Sequence, residues 1–184
     1  LNAILFLYRN VLEIDLPWLD NIVRAKKPKR LPTVLTRAEV RAVLAQLDGT
    51  PWLIASQLYG SGLRLTECLR LRVKDLDFEM QTITVRDGKG SKDRVTVLPA
   101  IATSPLKSHL DKVRLIHDMD LSKGSGAVYL PFALARKYPK AAMEWGWQFV
   151  FPSREYIRHR LTGEQVKFHL HKKSFQRRIK QAVR

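Results

Sequence analysis

Acidic residues are scarce in this chain: 17 Asp and Glu face 33 Lys and Arg in 184 residues, a formal net charge of +16. A field of that sign attracts polyanions, and nucleic acid is the commonest of these inside cells. On charge alone a ribosome-associated protein, or a basic surface with no specific partner, stays open. Cysteine is nearly absent: Cys68 stands alone, which excludes an internal disulfide framework and fits a reducing cytoplasm. No apolar run approaches the length needed to cross a bilayer, so no membrane partner is expected. The apolar opening LNAILFLYRN lacks the charged flank and small-residue cleavage site of a leader and reads as the end of an amphipathic helix. His, Cys and carboxylates nowhere cluster at ligand spacing, so no metal or cofactor is expected. No internal repeat is visible. What is present in quantity is apolar sequence, 45% of the chain, enough for one domain with a sizeable core.

Along the chain, Ile4, Leu5, Tyr8 and Leu12 share one face of a first helix. The stretch VRAKKPKRLP, with Lys26, Lys27, Lys29 and Arg30 broken by prolines, reads as a basic extended linker over 23–34. Thr36 and Glu39 form a capping box for a helix running to about Leu47. A second helix, Pro51 to Tyr59, ends at Gly60-Ser61-Gly62, and a third begins near Leu63. Residues 81–86 and 94–98 alternate apolar and polar around Asp87-Gly88-Lys89-Gly90, a hairpin with a glycine-rich tip. Leu106, Leu110, Val113 and Ile116 mark a long helix. A Gly/Ser/Lys loop follows, then PFALARKYPKAA, helical with a break at Pro139. The run from Trp145 to Pro152 reads as an aromatic strand and Arg154 to Lys173 as a loop. A last helix carries Phe175, Ile179 and Val183. Both ends fall inside helical patterns, so the chain is expected to be an internal fragment.

Two segments carry chemistry. In Gly60-Ser61-Gly62-Leu63-Arg64-Leu65-Thr66-Glu67 the glycines allow a tight turn into a helix start. Arg64 is thereby expected where helix N-terminal amides also point, a natural place for phosphate. A guanidinium fork can hold two non-bridging oxygens of one phosphodiester. In Asp87-Gly88-Lys89-Gly90-Ser91-Lys92-Asp93-Arg94, Lys89 at a hairpin tip could reach a groove and donate a proton. Alone, an arginine in a first turn is usually a surface residue and a tip lysine is usually just solvated. Their order, with the hairpin following the arginine helix, is what gives them weight.

The run GSGLRLTECLRLRVKDLDFEMQTITVRDGKGSKDRVTVLP resembles the core of the tyrosine recombinases nearly end to end. That resemblance implies a mixed α+β, mainly helical catalytic domain with a small antiparallel sheet, over 35–184. Residues 1–22 would then be the end of a core-binding domain. It makes Arg64 the first catalytic arginine, Lys89 the catalytic lysine and Glu67 the acid that supports the arginine. Lys92 and Arg94 fall on family basic positions with DNA-backbone contacts. The implied reaction is metal-free site-specific recombination of DNA through a 3′-phosphotyrosine, carried out by a homotetramer in the bacterial cytoplasm.

The segments KYPKAAMEWGWQFVFPS and FHLHKKSFQRRIKQAV further resemble the integron integrases, with an inserted stretch at about 119–148. In that subfamily the insertion helps recognise bases flipped out of a folded single-stranded site. Trp145 and Trp147 would share a strand face on which such a base stacks, and His169 matches a histidine near it. Core packing of the tryptophans and a plain surface role for His169 are the alternatives. Lys26, Lys27, Lys29 and Arg30 would track phosphates, or simply be solvated. The family also requires His-x-x-Arg and a nucleophilic tyrosine after it. None of His109, His117, His159, His169 and His171 has Arg three residues on. Tyr8, Tyr59, Tyr129, Tyr138 and Tyr156 all precede the point where that motif belongs. The chain as given is therefore expected to bind DNA without cutting it. A catalytically inactive binding remnant and a phage- or Xer-type recombinase acting on duplex DNA are the rival readings.

Overall fold

The computed structural model describes residues 2–14, 34–86, 88, 92–130, 132–159 and 163–183. The chain divides into two compact units, Leu1–Val34 and Leu35–Arg184. In the first, α1 (Asn2–Phe6) runs into a single π-helical turn, Leu7–Val11. Leu5 and Tyr8 of the expected face are half-buried, whereas Ile4 and Leu12 are exposed. The linker cations Lys26, Lys27, Lys29 and Arg30 lie outside the described residues, as does Lys89.

The second unit is mainly helical, with two small antiparallel sheets. It opens with α2 (Arg37–Ala45), capped as the sequence predicts: Glu39 N–H donates to Thr36 Oγ1 at 3.3 Å and Thr36 N–H to Glu39 Oε2 at 2.7 Å. Helix α3 (Gly49–Ser61) is buried from Leu53 to Gln57 and ends at Gly62, whose φ of 63° is the left-handed stop that glycine accepts at little cost. Helix α4 (Leu65–Arg70) follows at once, and a 3₁₀ turn (Val73–Asp75) leads into the first sheet.

That sheet runs β1 (Leu76–Asp77), β2 (Thr82–Val85), β3 (Arg94–Val97), in that order. Thr82 pairs with Val97 and Val85 with Arg94. Ile83 and Val85 point into the core and their neighbours outward, the two-residue period of a half-buried strand. The long helix α5 (Ala100–Ser122) buries Ala102, Leu106, Leu110 and Val113. Beyond it lie α6 (Phe132–Lys137), two 3₁₀ turns (Pro139–Met143 and Trp145–Trp147), the hairpin β4 (Pro152–Arg158) with β5 (Gln165–His169), and α7 (Lys172–Ala182).

Two expectations fail here. The aromatic strand Trp145–Pro152 is instead a 3₁₀ turn followed by one isolated bridge, Phe149 to Arg72. Trp145 and Trp147 therefore do not lie on one face of a strand. The reason is local: the Trp147 carbonyl accepts from Arg72 Nη1 at 2.7 Å rather than from a neighbouring strand. The expected loop over 154–173 holds, among its described residues, most of β4, all of β5 and the start of α7. β4 is largely exposed, so its apolar–polar alternation is too weak to read, and β5 buries a lysine, Lys167, beside Val166.

The main core joins Leu53 and Ile54 of α3, Cys68 and Leu69 of α4, Ile83 and Val85 of β2, Leu106 of α5, Phe151, and Phe175 of α7. A satellite cluster gathers Val128, Leu130, Ala141 and Phe149. Phe149 and Phe151, 2% and 1% exposed, thus serve different clusters. Among the described residues no helix is long and apolar enough to cross a membrane.

Candidate phosphate-binding site

Arg64 lies just before the first turn of α4, in extended backbone (φ −74°, ψ 150°). Its N–H donates to Glu67 Oε2 at 2.9 Å and its Nη1 to Glu67 Oε1 at 2.7 Å. The Glu67 side chain is 7% exposed, the Arg64 side chain 55%. A buried carboxylate therefore holds the arginine by one edge and leaves the remaining donors to solvent. Arg94, the first residue of β3, grips the same carboxylate with Nη2 at 2.7 Å and Nη1 at 3.1 Å. The Arg94 bonds, with smaller help from Arg64, hold the Glu67 carboxyl down at about 2 against the opposing effect of burial. Glu67 in turn raises the Arg94 pKa. Glu67 thus remains an anion at any physiological pH and keeps both guanidiniums in place.

The same device recurs eight positions on. Arg72 precedes a 3₁₀ turn as Arg64 precedes α4, and Asp75 takes the Arg72 N–H at 2.9 Å. Asp75, its side chain 4% exposed, then accepts from Arg86 Nε at 2.8 Å. Arg86 directly follows β2, and Arg94 opens β3. Each limb of the β2–β3 hairpin is therefore moored by a buried acid three residues after a helix-entry arginine. Glu67 is legible from the motif, whereas Asp75 and Arg86 are not singled out by it. The signal was there, because Arg64-Leu-Thr-Glu67 and Arg72-Val-Lys-Asp75 share one spacing.

The sequence-selected residues fall into separate groups. Arg64, Glu67 and Arg94 meet as described. Lys92 is exposed, and its carbonyl accepts from Gly88 N–H at 3.2 Å. Trp147 and His169 are linked through Arg72 and Phe149. The Arg72 guanidinium lies 3.6 Å over the Phe149 ring and donates to Trp147 O and to Tyr129 O at 2.8 Å. Burial lowers the Arg72 pKa to about 10. His169 sits edge-on to Phe149 at 5.5 Å, with Nδ1 2.9 Å from the Leu170 carbonyl. Burial, then the charges of Arg70, Arg72 and His171, push its pKa down. Lys74 places its ammonium 2.9 Å over the Trp147 ring. Trp145 stands apart from these, against His117 at 5.9 Å and under Arg114 at 5.1 Å.

Chemically, the Arg64–Glu67–Arg94 group offers fixed, outward guanidinium donors with their counter-charge buried behind them. That suits a dianionic or developing oxyanion centre.

Residues 33–184 match the phage integrase family. Integrase/recombinase proteins of Escherichia coli and of Pseudomonas aeruginosa are each 45% identical over 183 residues, covering all of this chain and 54% of those proteins. The tyrosine recombinase XerA of Thermococcus onnurineus is 46% identical over 89 residues, 47% of this chain and 32% of that one. The chain thus spans about half the length of the curated relatives it matches along its whole length. A crystal structure of XerA recombinase superposes with a TM-score of 0.53 at 22% identity, covering 99% of this chain and 51% of that one, a likeness of fold. With the motif, the fold and the family match in agreement, the chain belongs to the phage integrase family, the tyrosine recombinases.

Proposed function

We propose that this chain supplies the phosphate-gripping part of the catalytic domain of a site-specific DNA recombinase. The observation that carries the proposal is Arg64, half-exposed and fixed through Glu67 to Arg94. In the parent reaction a tyrosine oxygen attacks the scissile phosphorus. The bond to the 5′-oxygen breaks, and a 3′-phosphotyrosine and a free 5′-hydroxyl result. Arg64 would stabilise the charge that builds on the phosphorane oxygens, by about 2.7–4 kcal/mol if it acts like other oxyanion donors. Lys89 would protonate the departing 5′-oxygen. His-x-x-Arg and a tyrosine following it are not among these 184 residues, so the chain is proposed to bind DNA and not to cleave it.

The subfamily reading is integron-type: integration and excision of gene cassettes by a homotetramer, with recognition of extrahelical bases in a folded strand. It rests on the residues around KYPKAAMEWGWQFVFPS and FHLHKKSFQRRIKQAV. A second reading, a Xer-type enzyme acting on duplex DNA, draws on the XerA relative and its fold.

The test uses the full-length parent and this chain side by side. The chain should shift labelled DNA on a native gel and leave no covalent adduct on a denaturing one. In the parent, Arg64→Ala should abolish the adduct while largely preserving affinity. Equal loss of both would point to a binding module instead.

A further inference from the structure

Outside the Arg64–Glu67–Arg94 group, two further cations, Lys74 and Arg86, are each held by an anchor of their own. Lys74 and Asp75 are neighbours on one 3₁₀ turn. Asp75 holds Arg86 through Nε, the inner edge of the guanidinium, which leaves the terminal nitrogens outward on a side chain 53% exposed. Lys74, also exposed, is pinned by its ammonium over Trp147, and its Cβ lies 3.5 Å from where a side chain at Gly146 would begin.

The buried acid beside this pair has no oxygen left over. Asp75 already uses one oxygen on Arg72 N–H and the other on Arg86. The other contact of Arg86, Nη1 to Asp93 Oδ2 at 4.0 Å, joins two exposed side chains and is worth little in salt. Burial, then the charges of Arg86 and Arg72, push the Lys74 pKa down, and the pull of Asp75 and Glu144 does not offset them. Two like charges held together by separate anchors favour an anion between them.

We propose that Lys74 and Arg86, fixed respectively by Trp147 and Asp75, form a second phosphate clamp that grips a backbone phosphodiester of DNA away from the scissile one. The clamp rests on the DNA-binding reading above and adds a specific place on the surface to it. It also gives Trp147 a different task from base stacking: one face of the indole carries the lysine that meets the phosphate. Asp75 is a positioning residue, since it acts through Arg86.

The experiment measures binding of the 184-residue chain to a short fluorescein-labelled DNA duplex by anisotropy, from about 50 to about 200 mM salt. The Lys74→Gln/Arg86→Gln double variant should bind more weakly, with the slope of log K against log salt reduced by about 2. A control pair, Lys107→Gln/Lys112→Gln on α5, should leave the slope unchanged. Equal losses from both pairs would mean a diffuse basic field and overturn the clamp, as would an unaltered slope in the first pair. Absence of binding by the unmodified chain would overturn the DNA reading and the clamp with it. If the double variant fails to fold, Arg86→Lys decides. It keeps the charge but loses the side-on bond, so it should hold the slope and weaken binding several-fold; unchanged affinity overturns the positioning by Asp75.

Discussion

Arg94 closes on Glu67 with both terminal nitrogens, at 2.7 and 3.1 Å, from the opposite end of the segment that begins at Arg64. This bidentate contact joins the start of β3 to the first turn of α4. It is the tertiary step that turns two surface arginines into one group.

Replacing Glu67 should show it. Glu67→Gln loses the charge that both arginines share and should destabilise the domain by about 1–3 kcal/mol, measured by urea unfolding. The pH dependence follows from the direction of the shift. The Glu67 pKa is about 2 in the fold against an ordinary 4.5, so its contribution is complete above about 4.5 and is lost as pH falls through about 2. The Gln variant should therefore show a flatter acid limb than the unmodified chain.

Lys167 and Asp120 make a buried ion pair, with side chains 10% and 17% exposed, that fastens β5 to the end of α5. Removing one partner strands a charge: Asp120→Ala should cost about 3–5 kcal/mol. Lys167→Met in combination with Asp120→Leu removes both charges at similar volume and should be close to neutral or stabilising. Thermal unfolding of the two variants should move in clearly different degrees.

His109 and His117, on one helix, donate through Nε2 to the Val150 and Met143 carbonyls at 2.8 and 3.0 Å. Burial lowers both pKa values from 6.5. A histidine kept neutral in the fold gives stability above its unfolded pKa that is lost as pH falls through the lower folded one. The melting temperature should accordingly drop as the solution is taken below about pH 6.5. His117→Gln, which still offers an N–H, should reduce that drop.

Gly60 is packed rather than strained. A Cβ there would lie 2.5 Å from Pro99 Cγ and 2.9 Å from Pro99 Cβ. Gly60→Ala must push α3 away from the start of α5, at a cost of about 1–3 kcal/mol in chemical denaturation.

Much of this molecule is legible in the order of its residues, because the signals are local. The Thr36 capping box, the left-handed stop at Gly62, the alternation in β2 and the apolar spacing of Leu106, Leu110 and Val113 each depend on neighbours within a few positions. Arg64 and Glu67 are legible for the same reason, since one helical turn brings them together. The tryptophan turn and the β4–β5 hairpin are not legible in this way, because neither follows an apolar period. The hairpin is mostly solvent-facing, and the turn is set by Arg72, distant in sequence, taking the carbonyls of Tyr129 and Trp147.

The sequence by itself determined the sign of the surface charge, the helical register and the arginine–acid spacings, all of which follow from composition and from contacts within a turn. Only the tertiary structure decided which cations those acids serve. Arg94 lies 27 positions from Glu67 and Arg86 lies 11 from Asp75. Such distances close only when burial of Ile83 and Val85 brings the hairpin against α4. A buried carboxylate then selects its partner by proximity and geometry, which no linear pattern encodes.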